Sequence, residues 1–174
     1  MIRLSLIERK LQWLLPIASK SAILRLDSND KFDQNFRYDI VILNREQKNF
    51  SNLNLQTLIN NASRLLKFGG YLLIDSKNRK GLSFAAYKKI LEQAGFVTID
   101  IYGCLPNNKE PRYIVSLDDF LPFHFYLNVQ SDDSRKIRML KFLFRMRIGF
   151  YLIRQFLPDL SIVARKGEKN GNSA

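Results

Sequence analysis

Apolar and polar positions along this chain follow two periods in turn, and the switches between them mark out its elements. Residues 2–15 carry Ile2, Leu4, Leu6, Ile7, Leu11, Leu14 and Leu15 among Arg3, Glu8, Arg9 and Lys10. That spacing predicts an amphipathic N-terminal helix within residues 1–20, ended by Pro16, which would disturb a helix interior. Ala22–Leu26 (AILRL) reads as a short strand. Asp27–Asn35 follows as a polar loop carrying the turn formers Ser28, Asn29, Asp30 and Asp33. Ile40–Leu43 is the near-continuous apolar run expected of a parallel strand covered on both faces. Leu53–Leu66 repeats Leu55, Leu58, Ile59, Ala62, Leu65 and Leu66 at helical spacing, and Gly69-Gly70 reads as its C-terminal cap.

The same alternation continues downstream. Tyr71–Asp75 is a buried strand, Lys77–Gly81 a basic loop, and Ser83–Ala94 a helix with Phe84, Tyr87, Ile90 and Leu91 inward, ended by Gly95. Phe96–Tyr102 alternates as a strand, and Ser161–Gly167 (SIVARKG) reads as the last one. The chain thus divides into the N-terminal helix, an α/β core at 21–103, an insert at 104–160, a last strand at 161–167 and a frayed tail at 168–174. The insert begins LPNNKEPRYIVSLDDFLPFHFYLN and continues as a basic helix from about Ser134 to Phe156. No internal repeat is visible.

Composition narrows this to a single domain. The 174 residues suffice to bury a core without disulfides or metals, and 46% hydrophobic content with 13 Phe excludes a disordered chain. The lone Cys104 rules out an internal disulfide framework and suits a reducing cytosol; with no base assignable beside it, it reads as a packed thiol. The charged residues within the N-terminal helix exclude a signal peptide, and no apolar run is long enough to span a bilayer. The expectation is a cytoplasmic protein, free or peripheral at a membrane. A net charge of +12 favours an anionic partner.

The segment YDIVILNREQKNFSNLNLQTLINNASRLLKFGGYLLID, Tyr38 to Asp75, resembles the fourth and fifth strands of the class I S-adenosylmethionine methyltransferases. There an aromatic-Asp pair opens a buried strand, and a Leu-Lys-x-Gly-Gly turn follows the next helix. The Gly-Phe junction at Gly95-Phe96 is similar to the entry of that family's sixth strand, and SIVARKG to its antiparallel seventh. The resemblance implies a Rossmann-like α/β sheet, here of about five strands, with flanking helices and a basic helical insert before the last strand. It covers Tyr38 to Phe96 well and Val97 to Lys166 patchily. Leu105-Pro106 and Pro111-Arg112-Tyr113-Ile114-Val115 are similar to a subset of the family found with cell-surface glycan and lipid pathways.

Before Tyr38 the resemblance breaks down. A complete member ends its first strand in an acidic residue and a Gly-x-Gly loop, because only glycine lets the backbone approach the cofactor closely. No glycine stands before Tyr38 in this chain. Asp27 either ends a first strand without its glycines, or begins the loop between the third and fourth strands. The distance from Asp27 to Tyr38 suits the second alignment, which we prefer at this stage and which implies that the first two strands are absent.

What the resemblance implies for sites is correspondingly thin. Asp27, Ser28, Asn44 and Arg45 are the candidate cofactor-binding positions, Asn44 and Arg45 because they follow a parallel strand at its carboxyl end, where open α/β sheets bind ligands. Asp75, Lys77 and His124 are candidates for substrate: Asp75 could bind an amine or act as a base, and equally could hold its own turn. His124, the only histidine, lies between Phe123 and Phe125, and no Cys/His cluster exists to hold a metal. Asp118 and Asp119 are adjacent and so point apart, against a paired-carboxylate mechanism. The basic run holds Arg135, Lys136, Arg138, Lys141, Arg145, Arg147 and Arg154 with no acidic residue among them. Its interleaved Phe, Leu, Ile and Met suggest a membrane interface, a protein partner or a homodimer contact. The same pattern also fits a core helix whose Arg and Lys snorkel. Nucleic acid ranks lower, because recognition motifs are not evident.

Three functions remain open. One is a methyltransferase-like protein without the glycine-rich loop, non-catalytic or partner-dependent, linked to glycan or lipid synthesis. Another is an active methyltransferase with an atypical or shared S-adenosylmethionine site. The third is a basic module that binds anionic lipid or nucleic acid and uses the fold as scaffold.

Overall fold

The computed structural model of the chain describes residues 21–26, 36–45, 52–77, 83–105, 113–129, 138, 142, 149–151 and 159–168. Its elements are β1 (Ile23–Leu26), β2 (Tyr38–Arg45), α1 (Asn52–Leu65), β3 (Leu66–Lys77), α2 (Phe84–Gln93), β4 (Phe96–Leu105), β5 (Tyr113–Ser116), α3 (Phe120–Val129) and β6 (Asp159–Lys166). They build one six-stranded sheet of order β1-β2-β3-β6-β4-β5. β1, β2 and β3 are parallel; β6 runs antiparallel between β3 and β4, and β5 is antiparallel to β4. This is the mixed Rossmann-like sheet that the Tyr38–Asp75 pattern implies. The strand beyond the expected five is β5, inside the insert, where four residues are too few for a period of two to stand out.

Strand order also fixes the place of β1. β1 pairs directly with β2, Leu24 opposite Val41 and Leu26 opposite Leu43. In a doubly wound sheet of order 3-2-1-4-5-6 the neighbour of the fourth strand is the first. β1 therefore takes the place beside the fourth strand that a first strand holds in a complete sheet.

Most of the core lies on one face of the sheet. Val41, Leu43, Leu72, Ile74, Ile101, Leu160, Ile162 and Ala164 pack there with Leu55, Ile59 and Ala62 of α1, Phe84, Tyr87 and Leu91 of α2, and Phe123 of α3. Removing each large side chain of this kind from water contributes roughly 1.5–3 kcal/mol before entropy is counted. The opposite face carries a smaller cluster of Ile40, Ile42, Leu73, Cys104 and Val163. Helix α2 starts at Ser83, whose hydroxyl accepts the Ala86 N–H at 3.2 Å, and ends at Gly95, with φ +90°.

The family-like motifs lock the edge where the parallel strands begin. Asp39, of the aromatic-Asp pair, accepts the Ala22 N–H at 2.7 Å and the Lys67 ammonium at 2.7 Å. It thereby pins the start of β1 to the Leu-Lys-x-Gly-Gly segment. Gly70 is needed because a Cβ there would meet the carbonyl oxygens of Asp39 and Lys67 at 3.0 Å. The glycine pair does not cap α1 directly; α1 ends at Leu65 and Gly69, with φ +74°, lies within β3. Lys166 instead reaches back to the carbonyls of Ser63 and, at 2.9 Å, Leu66, so it satisfies acceptors at the helix end. Burial, and then the charge of Arg37, lowers the Lys166 pKa.

Candidate functional site

The carboxyl ends of β1, β2, β3 and β4 and the amino end of β6 share the other edge of the sheet. Registers there align one row across the strands: Asn44 opposite Asp75, Asp75 opposite Ser161, Ser161 opposite Tyr102, and Tyr102 opposite Ser116. Paired residues share a face with Cβ atoms roughly 4.5–5.5 Å apart, so this row sets the Asp75 carboxylate, the Ser161 hydroxyl and the Tyr102 phenol side by side. It lies on the face opposite α1 and α2, because alternation puts Ile74 and Ser76 on the helix side and Leu73 and Asp75 on the other. Among the described residues no helix packs on that face.

Individual contacts separate structural groups from available ones. Cys104 is fully buried, with its Sγ 3.3 Å from Ser161 Oγ, as a packed thiol should be. Ser76 Oγ lies 3.2 Å from the Tyr87 hydroxyl, a buried pair that ties β3 to α2. Burial, followed by the charges of Asp100 and Asp118, raises the Tyr102 pKa, so its phenol stays protonated and can donate at neutral pH. Asp100 is likewise raised, by burial first and then by Asp118, with Lys88 opposing. Asp118 accepts the Ile101 N–H at 2.9 Å and pairs with Lys88 at 2.5 Å, whereas Asp119 accepts the Leu121 N–H at 3.1 Å and caps α3. The two adjacent carboxylates thus serve different elements.

The residues singled out from sequence fare unequally. Asn44 and Arg45 end β2 opposite Asp75 and Ser76, and Lys77 ends β3 opposite Asp159; for these three the backbone alone is described. Asp27 and Ser28 lie outside the described residues. The structure brings Asn44 and Asp75 together and does not bring His124 to them. His124 is on α3, its ring 5.2 Å from that of Phe120, within the helix that packs on the other face. Of the basic run Arg138 alone is described, helical and exposed; Arg135, Lys136, Lys141, Arg145, Arg147 and Arg154 lie outside the description, as does the N-terminal helix. Ser161, Tyr102 and the buried Asp159 were missed, since only cross-strand register sets Ser161 opposite Asp75, Tyr102 opposite Ser161 and Asp159 opposite Lys77. No local pattern announces them. Among the described residues no His/Cys/Asp/Glu group could hold a metal ion, and no helix is long and apolar enough to cross a membrane.

No family model matches the chain, and no curated protein does. Solved structures do. A SAM-dependent methyltransferase from Archaeoglobus fulgidus superposes with TM-score 0.53 at 15% identity, over 92% of this chain and 93% of its own. A SAM-dependent methyltransferase from Thermotoga maritima gives 0.49 at 10% identity, over 92% and 88%. Phosphoethanolamine N-methyltransferase 2 from Haemonchus contortus gives 0.38 at 15% identity over 76% of this chain, which spans only 34% of that protein. Sheet order, strand directions and the Archaeoglobus superposition agree on the architecture: the chain has a class I methyltransferase-like fold.

Proposed function

We propose that this chain is a methyltransferase-fold protein that does not hold S-adenosylmethionine by itself and acts as a non-catalytic or partner-dependent subunit. The carrying observation is where its glycines are. Gly69, Gly70, Gly95 and Gly167 lie at the edge where β3 and β4 begin and β6 ends, Gly103 lies near the carboxyl end of β4, and no glycine stands between β1 and β2 in the sequence. The first strand's place is filled by β1, yet the chain leaves it as Leu26-Asp27-Ser28-Asn29-Asp30. A Gly-x-Gly loop lets the backbone approach a cofactor closely because glycine has no side chain, and none of those residues is a glycine. The residues present therefore do not fit the family's usual cradle. Calorimetric titration of the isolated chain with S-adenosylmethionine is expected to give a Kd weaker than about 10 μM, roughly −7 kcal/mol. Tighter binding would overturn the proposal.

One observation favours the second reading, an active enzyme whose cofactor site is atypical or completed by another chain. The row Asn44–Asp75–Ser161–Tyr102 keeps polar groups at the ligand-binding edge of the sheet. Under that reading Asp75 and the protonated Tyr102 would bind a polar acceptor, and the resemblance of Leu105-Pro106 and Pro111–Val115 to glycan- and lipid-pathway members supports a glycan or lipid precursor in that role. Methyl transfer by the chain alone or with a partner, lost in Asp75→Asn, would support it.

A further inference from the structure

We infer that the outer edge of β1 receives an extended segment of a different polypeptide, which adds to the sheet as a further parallel strand. The inference rests on reading the chain as a partner-dependent subunit, and it names the surface that the partner uses. In a doubly wound sheet the first strand is interior, with the second and third strands beyond it. Here β1 stands beside the fourth strand and ends the sheet. Exposure agrees with that margin. Ile23, Leu24 and Arg25 stay partly accessible and only Leu26 is buried, whereas Ile40, Val41, Ile42 and Leu43 opposite them are all 4% exposed or less.

The backbone of β1 suits such an addition. The Ile40 N–H donates to the Ala22 carbonyl at 3.1 Å, so Ala22 points at β2. Backbone groups alternate along a strand, so Leu24 and Leu26 face β2 as well, and the N–H and C=O of Ile23 face outward. Pairing with β2 is regular over all four residues, with neither a bulge nor a proline to blunt the edge. Chain length and strand direction then choose the occupant. Residues 27–37 carry the chain from β1 to β2, and a connection between parallel strands itself takes roughly a dozen residues, so that segment has none left for another strand. Residues 2–15 have the apolar spacing of a helix. A second copy related by a two-fold axis would set β1 antiparallel to β1, which turns the added carboxyl end away from the edge that carries Asn44 and Asp75. A parallel strand from another polypeptide instead extends that ligand-binding edge beyond β1. Leu24 packs with the core on the α1 face and Ile23 with the cluster on the other, so the added strand is apolar on both faces, as interior parallel strands are.

β2 supplies a probe of that chemistry, because it already pairs parallel with β1. The test titrates the full chain with a fluorescein-labelled peptide copying Tyr38–Arg45 (YDIVILNR). Saturable binding is expected, and exchange of the Ile23 amide, fast in the chain alone, should slow at least about tenfold with peptide bound. Ile23→Pro removes the outward donor at the first residue of the strand, where proline is tolerated. It should weaken binding about tenfold and keep the melting curve, whereas Ile23→Val, which keeps the donor, should bind as wild type does. The inference is overturned if the Ile23 amide is already protected in the chain alone, if a dimer forms that Ile23→Pro dissolves, or if folded Ile23→Pro binds as wild type does. Absence of binding overturns it too, as does binding that leaves the Ile23 amide fast, the sign that peptide has displaced β2. Titration with S-adenosylmethionine reads the proposed function separately, since tight cofactor binding by the chain alone overturns that reading whether or not the peptide binds.

Discussion

Asp39 shows how much one side chain can organise. Its two oxygens take the backbone N–H of Ala22, just before β1, and an ammonium from the start of β3, so a single carboxylate on β2 ties down the entries of its two neighbours. The hydrogen bond from Lys67, then that from the Ala22 N–H, lowers its pKa below the ordinary value. Because the folded-state pKa is the lower one, the stabilisation is complete above the unfolded value, about 3.9, and is lost as pH falls through the folded value. Asp39→Asn should therefore cost about 1 kcal/mol at neutral pH, a figure discounted because both partners face solvent. The gap in melting temperature between the two proteins should close on acidification; a gap constant from neutral pH to strong acid would refute this role. The aromatic-Asp pair stood out in the sequence, but its function did not. Nothing near Tyr38 says that the acceptor's partners are Ala22 and Lys67.

At the scale of elements, β3 carries the most demanding position. Ile74 is 1% exposed and sits in register between Leu43 of β2 and Ile162 of β6. An unpartnered carboxylate there costs several kcal/mol, so Ile74→Asp should leave no cooperative thermal transition, whereas Val97→Asp, 69% exposed on β4, should stay within about 0.5 kcal/mol of wild type. A soluble, cooperatively melting Ile74→Asp protein would remove β3 from the core. The apolar run Tyr71–Asp75 was enough to expect this strand, because a strand buried on both faces has a local signature. β5 has none: Tyr113–Ser116 becomes a strand because β4 offers it an edge from Tyr102 to Leu105.

For the molecule as a whole, the sheet order predicts a gradient of stability. β3 and β6 are each flanked on both sides, whereas β5 closes the sheet at its margin. Native-state hydrogen exchange should find the slowest amides at Leu72–Ile74 and Leu160–Ala164 and faster ones at Tyr113–Ser116, since marginal elements open at lower free energy. Equal protection in β5 would mean that the margin is covered.

What the sequence by itself determined was the succession of elements from β1 to β4 and the closing strand, along with the helix end at Gly95. Periodicity and turn chemistry are properties of neighbouring residues, so they can be read without knowing the fold. Its missing glycines were equally legible. Only the tertiary structure decided that β1 lies against β2, that β6 enters between β3 and β4, and that Asn44, Asp75, Ser161 and Tyr102 form one row. Strand order and register arise from pairing and packing between segments far apart in the chain. A one-residue slip would turn Asp75 from the polar row to the α1 face, and burial of Leu72 and Ile74 against the helices is what forbids it.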